Sequence, residues 1–248
     1  MASSFPALEA SLVEVDSPAH VAQRYLASAY DSVQSLIEET YPALRATREG
    51  GRGRLTHAEH DLFRAAVVFA GAGVDAVLKQ AIRSCIPIQV DRSKGARDKY
   101  VAFAASYLQN QGALSANQLA KLLITDSPER LLRAAYVDSL TGSSLQSQTQ
   151  VTATLAALGL ADQQQLFKDS KTLNPLFKAR NEIAHEMDMT PAAVKGRGKR
   201  TRHERTMSAY VGMCHTGLNY CQRVLNALAD ELNAVSYTHL RAHETRHD

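Results

Sequence analysis

Apolar residues recur at helical spacing along most of the chain, and few segments alternate with period two. Val21, Tyr25, Ala29, Val33, Leu36 and Ile37 predict a first long helix. Ser17 is its candidate N-cap, Pro18 its first helical residue, and "EGGRGR" stops it near Thr47. Thr56 and Glu59 form a T-x-x-E capping box that opens a second long helix. Its buried stripe is Leu62, Phe63, Val67, Ala70, Val74, Leu78, Ala81 and Ile82, and Pro87 is expected to end it. Gly71 and Gly73 within it admit a close neighbour; no strand precedes them, so "GAG" is not a phosphate loop.

Shorter helices are expected over about 95–110, 115–124, 128–140, 144–158 and 161–169, and another over 172–188. Asp126-Ser127-Pro128 marks the start of the third of these. A last long helix over about 203–234 carries Met207, Val211, Cys214, Leu218, Cys221, Leu225, Leu228 and Leu232 on one face. The expected fold is an all-α bundle of long antiparallel helices with shorter ones inserted. It is one domain over 17–234, preceded by a flexible arm over 1–16 and followed by a tail over 235–248.

Composition narrows the class. Of 248 residues, 45% are hydrophobic, Ala and Leu dominate and Trp is absent. The net charge of +3 does not by itself announce a nucleic-acid binder. Cys85, Cys214 and Cys221 form no C-x-x-C pair and suit a reducing compartment, as small buried residues. The first 17 residues hold Glu9, Glu14 and Asp16 with no basic residue, unlike a secretory leader. The longest apolar run, Ala65 to Val74, is too short to span a bilayer. A cytoplasmic protein without a membrane partner is therefore expected.

The tail "VSYTHLRAHETRHD" contains H-E-x-x-H, residues 243–247, the helical signature of zinc proteases. His239, His243 and His247 would share a helical face. Only Asp248 follows, and the composition changes abruptly at this point. The tail resembles translated adaptor sequence at the end of a truncated reading frame and is set aside from the fold. No metal or cofactor is expected in the body.

Two basic stretches stand out. "RATREGGRGR" carries Arg45, Arg48, Arg52 and Arg54, and "KGRGKRTRHER" carries Lys195, Arg197, Lys199, Arg200, Arg202 and Arg205. Cations interleaved with glycine suit phosphate contact, so Lys195, Arg197, Lys199, Arg200, Arg202, Arg52 and Arg54 are candidate RNA-binding residues. The other reading of such runs is a solvated loop.

Between these stretches lies "NPLFKARNEIAHEMDM". On a helical wheel Leu173, Leu176, Phe177, Ile183, Ala184 and Met187 form an apolar arc, and Arg180 falls near its middle. An arginine so placed needs a carboxylate partner or an anionic visitor. Asp75 would serve as the partner, with His185 capping the helix C-terminus; that is the structural alternative. Glu182, Glu186 and Asp188 read as solvated or helix-pairing charges.

"RNEIAH" resembles the R-x4-H motif of HEPN domains, helical domains found in many prokaryotic ribonucleases, in which a polar residue commonly follows the arginine, as Asn181 does here. Arg52/His57 repeats the spacing and Arg197/His203 loosens it, but neither lies within a helix pattern. The resemblance covers roughly residues 18–234, and its motif implies Arg180, His185 and Asn181 as catalytic residues. It implies a homodimer whose two motifs share a cleft and metal-independent attack of the RNA 2′-hydroxyl on the adjacent phosphate. The products would be a 2′,3′-cyclic phosphate and a 5′-hydroxyl. A toxin or defence role with a cognate antitoxin or inhibitor is implied in the same way, as is the alternative of a non-catalytic RNA- or protein-binding module.

Overall fold

The capping box forms as the sequence predicts. The Thr56 hydroxyl accepts from Glu59 N–H, and the Glu59 carboxylate accepts from Thr56 N–H at 2.6 Å. From this start the helix runs from His57 to Arg92 and becomes the axis of the molecule. The computed structural model describes residues 4–48, 53–109, 127–190 and 202–244, with 117, 120 and 124. In chain order the helices are α1 (His20–Ser35), a π-turn (Leu36–Thr40), α2 (Tyr41–Ala46), α3 (His57–Arg92) and α4 (Lys94–Gln109). They continue as α5 (Pro128–Thr141), α6 (Gln148–Ala157), α7 (Gln164–Asp169), a 3-10 turn (Ser170–Leu173), α8 (Asn174–Glu186) and α9 (Met207–Glu244). The fold is all-α; among the described residues the only β feature is an isolated bridge, Met189 to Arg202.

α1 and α9 pack on α3 and on each other, and α4, α5 and α8 cover its remaining faces. The core is continuous from Leu26 and Val33 of α1 through Phe63, Val74 and Ile82 of α3 to Leu218 and Leu225 of α9. All three cysteines are free and buried within it. α3 is the only described helix long and apolar enough to cross a membrane, and its stripe is spent on this core. Gly73 shows why glycine is tolerated there: a Cβ would stand 2.6 Å from that of Ala29, so its absence lets α1 close on α3.

Three expectations are corrected. Pro87 does not end α3, which continues five residues further because Cys85, Ile86, Gln89 and Val90 are all buried against neighbours. Packing there outweighs one lost backbone bond. The helix expected over 172–188 is shorter, a 3-10 turn followed by the 13 residues of α8. The N-terminal segment is not a loose arm. Phe5 is buried, its ring 5.2 Å from Tyr30 of α1 and 6.1 Å from His215 of α9. Asn219 and Asn226 accept from Glu9 and Leu12 N–H, and Asn226 donates to the Ala10 carbonyl. Extended backbone with no ladder partner thus meets its hydrogen-bonding needs on side-chain amides. The expected 115–124 helix lies mostly outside the described residues.

Candidate functional site

α8 starts with Pro175 in its first turn and buries Leu176, Phe177 and Ala179. That orientation lays the half-buried Arg180 across α3 at Gly71, where a Cβ would come within 2.9 Å of Arg180 Cγ. The glycine is the seat for the arginine stem. At the far end of the stem, Nε is buried without a hydrogen-bond partner, and Nη1 donates to Asn181 Oδ1 at 3.1 Å. Among the described residues no carboxylate pairs with this guanidinium. The expected alternative partner, Asp75, is engaged elsewhere, with Lys79 at 3.0 Å and with Leu145 N–H at 2.6 Å. Asn181 is exposed, and His185 is exposed in the last turn of α8. The structure therefore brings Arg180, Asn181 and His185 to one helix at the surface.

Of the three acids around the motif, Glu182 pairs along the helix with Lys178 at 3.9 Å and Glu186 is exposed, whereas Asp188 departs from expectation. Met187 and Asp188 both take left-handed backbone conformations, at φ 53° and 58°, which unbranched residues without Gly's freedom adopt only when held. Asp188 is held: it is fully buried, accepting from Arg64 Nε at 2.7 Å and from Arg205 Nη1 at 2.6 Å. Arg205 also bonds Glu182 at 2.7 Å, and Arg64 reaches the His203 carbonyl at 3.1 Å. Asp188 is therefore no solvated charge but the anchor that ties α8, α3 and the loop before α9 together. Sequence reading missed it because both cationic partners are distant in the chain. Glu182 and Asp188 are thus neutralised by guanidinium groups, while Glu186 stays exposed with no ion pair among the described residues.

The two basic stretches converge. A cleft of about 1060 Å³ is lined by Arg45, Arg54, His57, His60, Arg202 and Arg205, among others. Not every cation there is free for a ligand. Arg45 and Arg48 close on the buried Glu59 carboxylate at 3.3 and 3.1 Å. Burial pushes the Glu59 carboxyl upward, but hydrogen bonds from Thr56 N–H and Arg48 outweigh it and hold the group below its ordinary value. His60 is held below the usual histidine value by burial first and then by Arg64; its Nδ1 lies 3.4 Å from the Tyr210 hydroxyl. Arg202 pairs with Asp61 at 2.7 Å, and Arg54 is exposed with no acidic partner among the described residues. Arg52, Lys195, Arg197, Lys199 and Arg200 lie outside the described residues.

Glu182, Asp188 and His203 place ligand-type atoms within 4.8 Å of one another. The oxygens a cation would use already accept from Arg205 and Arg64, which makes the cluster an ion-pair network. α9 continues as helix through the tail to Glu244, while His247 lies outside the described residues. No family model matches the chain, and neither a curated protein nor a solved structure matches it.

Proposed function

We propose that the chain is a HEPN-like, metal-independent endoribonuclease. The observation that carries this reading is the Arg180 guanidinium: seated in the cleared space of Gly71, unpaired by any described carboxylate, and flanked by Asn181 and the exposed His185. A guanidinium with one buried, unpartnered N–H and no counter-ion beside it favours an anionic visitor. A phosphodiester supplies that anion. Arg180 offers a planar, permanently charged fork as negative charge builds on the phosphate oxygens. Histidine is the side chain suited to passing protons at cellular pH, so the exposed His185 takes the proton of the 2′-hydroxyl or returns one to the 5′-oxygen. Asn181 holds the guanidinium in register. A second copy meeting this face would pair two motifs across one cleft, the HEPN arrangement. Arg54 and Arg202, with the basic residues of the flanking stretches, would hold adjoining RNA phosphates. Action as a toxin or defence effector in the cytoplasm, checked by a cognate inhibitor, extends the same resemblance.

The test is incubation of purified protein with RNA in EDTA, followed by analysis of the ends. Cleavage leaving 2′,3′-cyclic phosphate is expected. Arg180→Ala should lower the rate by about 10²–10³-fold and His185→Ala by about 10²–10⁴-fold, with helical circular dichroism retained in both. RNA binding without cleavage would turn the reading towards a non-catalytic module. Unfolding of Arg180→Ala alone would make the arginine structural.

A further inference from the structure

On the Ile183 side of α8, about 160° around the helix from His185, a pocket of about 270 Å³ opens between α3 and α8. Its walls are Ala65, Val68, Phe69, Ile183 and Met187. Phe69 is 51% exposed and Met187 64%, two large apolar side chains held open to solvent on one concavity. Ile183 follows Arg180 by three residues and so shares its face of the helix, and Met187 stands at the left-handed C-cap just beyond it. Val68 lies three residues before Gly71, the seat of the Arg180 stem, and so shares its face of α3. The pocket therefore lies along the side of the Arg180 stem, while the guanidinium itself turns to Asn181.

The rim is polar and arranged in a particular way. Asp61 Oδ1 accepts from Arg64 Nη1 at 2.9 Å and from Arg202 Nη1 at 2.7 Å. Oδ2 of Asp61 has no partner among the described residues, and the remaining N–H groups of Arg202 are likewise unused there. The rim thus presents a carboxylate acceptor beside guanidinium donors, over an apolar floor with an aromatic ring. Arg64 and Arg202 also line the large basic cleft, so the two cavities share a wall.

We propose that this pocket receives one base of a bound RNA strand and that it prefers guanine. The inference rests on the nuclease reading for the presence of RNA but not for its own geometry. Base recognition in single-stranded RNA joins an aromatic face to hydrogen bonds on the base edge. Phe69 supplies the face. Guanine turns two donors, N1–H and the 2-amino group, towards a carboxylate and its O6 towards a guanidinium; adenine offers one donor, and uracil an imide N–H between two carbonyls. The volume falls just under the range of about 300–1,000 Å³ usual for small-molecule sites, which suits one base rather than a whole nucleotide. The other occupant of an exposed apolar face is a second copy of the chain, and the experiment separates the two.

Calorimetric titration of the wild-type protein with the four nucleoside 3′-monophosphates has no cleavage step. Guanosine 3′-monophosphate is expected to bind at least tenfold more tightly than the others. Phe69→Ala should weaken it by at least tenfold, and Asp61→Asn should erase the preference for guanine while uridine 3′-monophosphate binding is unchanged. Sedimentation of each variant should leave the oligomeric state as in wild type. Equal or undetectable binding of all four nucleotides overturns the proposal. So does a Phe69→Ala protein that binds guanosine 3′-monophosphate normally but changes oligomeric state, which would assign the face to a second copy. Cleavage of RNA separates the two readings. Guanine-selective, Phe69-dependent binding without any cleavage keeps the pocket and removes the nuclease. Cleavage that depends on Arg180 and His185 but keeps its sequence pattern in Phe69→Ala removes the pocket and keeps the nuclease.

Discussion

Arg180 owes its position to a residue with no side chain. Gly71 leaves the groove through which the arginine stem crosses α3. Adding one methyl group at Gly71 sets two effects against each other. Alanine favours helix over glycine by about 0.5–1 kcal/mol, whereas overpacking costs about 1–3 kcal/mol. The Arg180 side chain is long and ends at the surface, so it can swing aside, and the net loss of stability should stay at or below about 2 kcal/mol. The proposed cleavage has no such escape. A displacement of about 1 Å in a positioned group costs on the order of 10²-fold in rate. Gly71→Ala is therefore expected to fold, as judged by urea denaturation, and to cut RNA about as poorly as Arg180→Ala. Near-normal cleavage in Gly71→Ala would show that the seat does not matter. Arg180 could be picked out of the sequence because the wheel puts a cation on an apolar arc, and Asn181 and His185 because "RNEIAH" resembles a known motif. The function of Gly71 could not, since a glycine in a helix pattern does not say which side chain fills its place. Asp188 was misread for a related reason: its partners Arg64 and Arg205 stand 124 and 17 residues away.

Among the elements, those with local signals were legible. The capping box of α3, the helices themselves and the Ser127-Pro128 start of α5 are written in neighbouring residues. Elements decided by distant packing were not: the passage of α3 through Pro87 and the docking of residues 4–16. The docked segment makes a testable case. Its polar ties to Asn219, Asn226 and His215 lie at exposed positions, where water replaces them at little cost. Its stability must come from the buried Phe5, with Leu8 and Val13 packed on the core. Phe5→Ala is expected to cost about 3 kcal/mol, the low end for buried phenylalanine, because the site lies at the edge of the core. Deleting residues 1–16 should cost only about 1–2 kcal/mol more, for the leucine and valine. Thermal and urea unfolding measure both. A deletion with no effect would return the segment to the status of an arm, and a deletion far costlier than Phe5→Ala would put the energy in the amide bonds.

Across the whole molecule, acid should undo the fold in two stages, because the groups that join α2 and α9 to the start of α3 titrate in sequence. His60 sits between Tyr210 of α9 and Arg64, with His57, Glu204 and Asp188 near it, and its folded value lies below the ordinary 6.5. The unfolded chain therefore binds a proton on this ring that the folded chain refuses. Stability is present above about pH 6.5 and is lost as pH falls through the depressed folded value. Glu59 follows lower down. Its carboxylate clamps Arg45 and Arg48 of the α2 end onto α3, and its folded value lies below the ordinary 4.5. That contribution is complete above about pH 4.5 and disappears as pH falls through the folded value. One group gains a positive charge and the other loses a negative one, yet both changes favour the unfolded chain. Melting temperature measured from pH 8 to pH 3 should fall on two limbs. His60→Gln should flatten the limb near and below pH 6.5 while leaving the lower one. Glu59→Gln should lower the melting temperature at pH 7, because Arg45 and Arg48 lose their counter-charge, and should flatten the limb below pH 4.5. If His60→Gln leaves the upper limb intact, the imidazole is not what acid strikes first, and the join between α3 and α9 is held by Asp188, Arg64 and Arg205 without it.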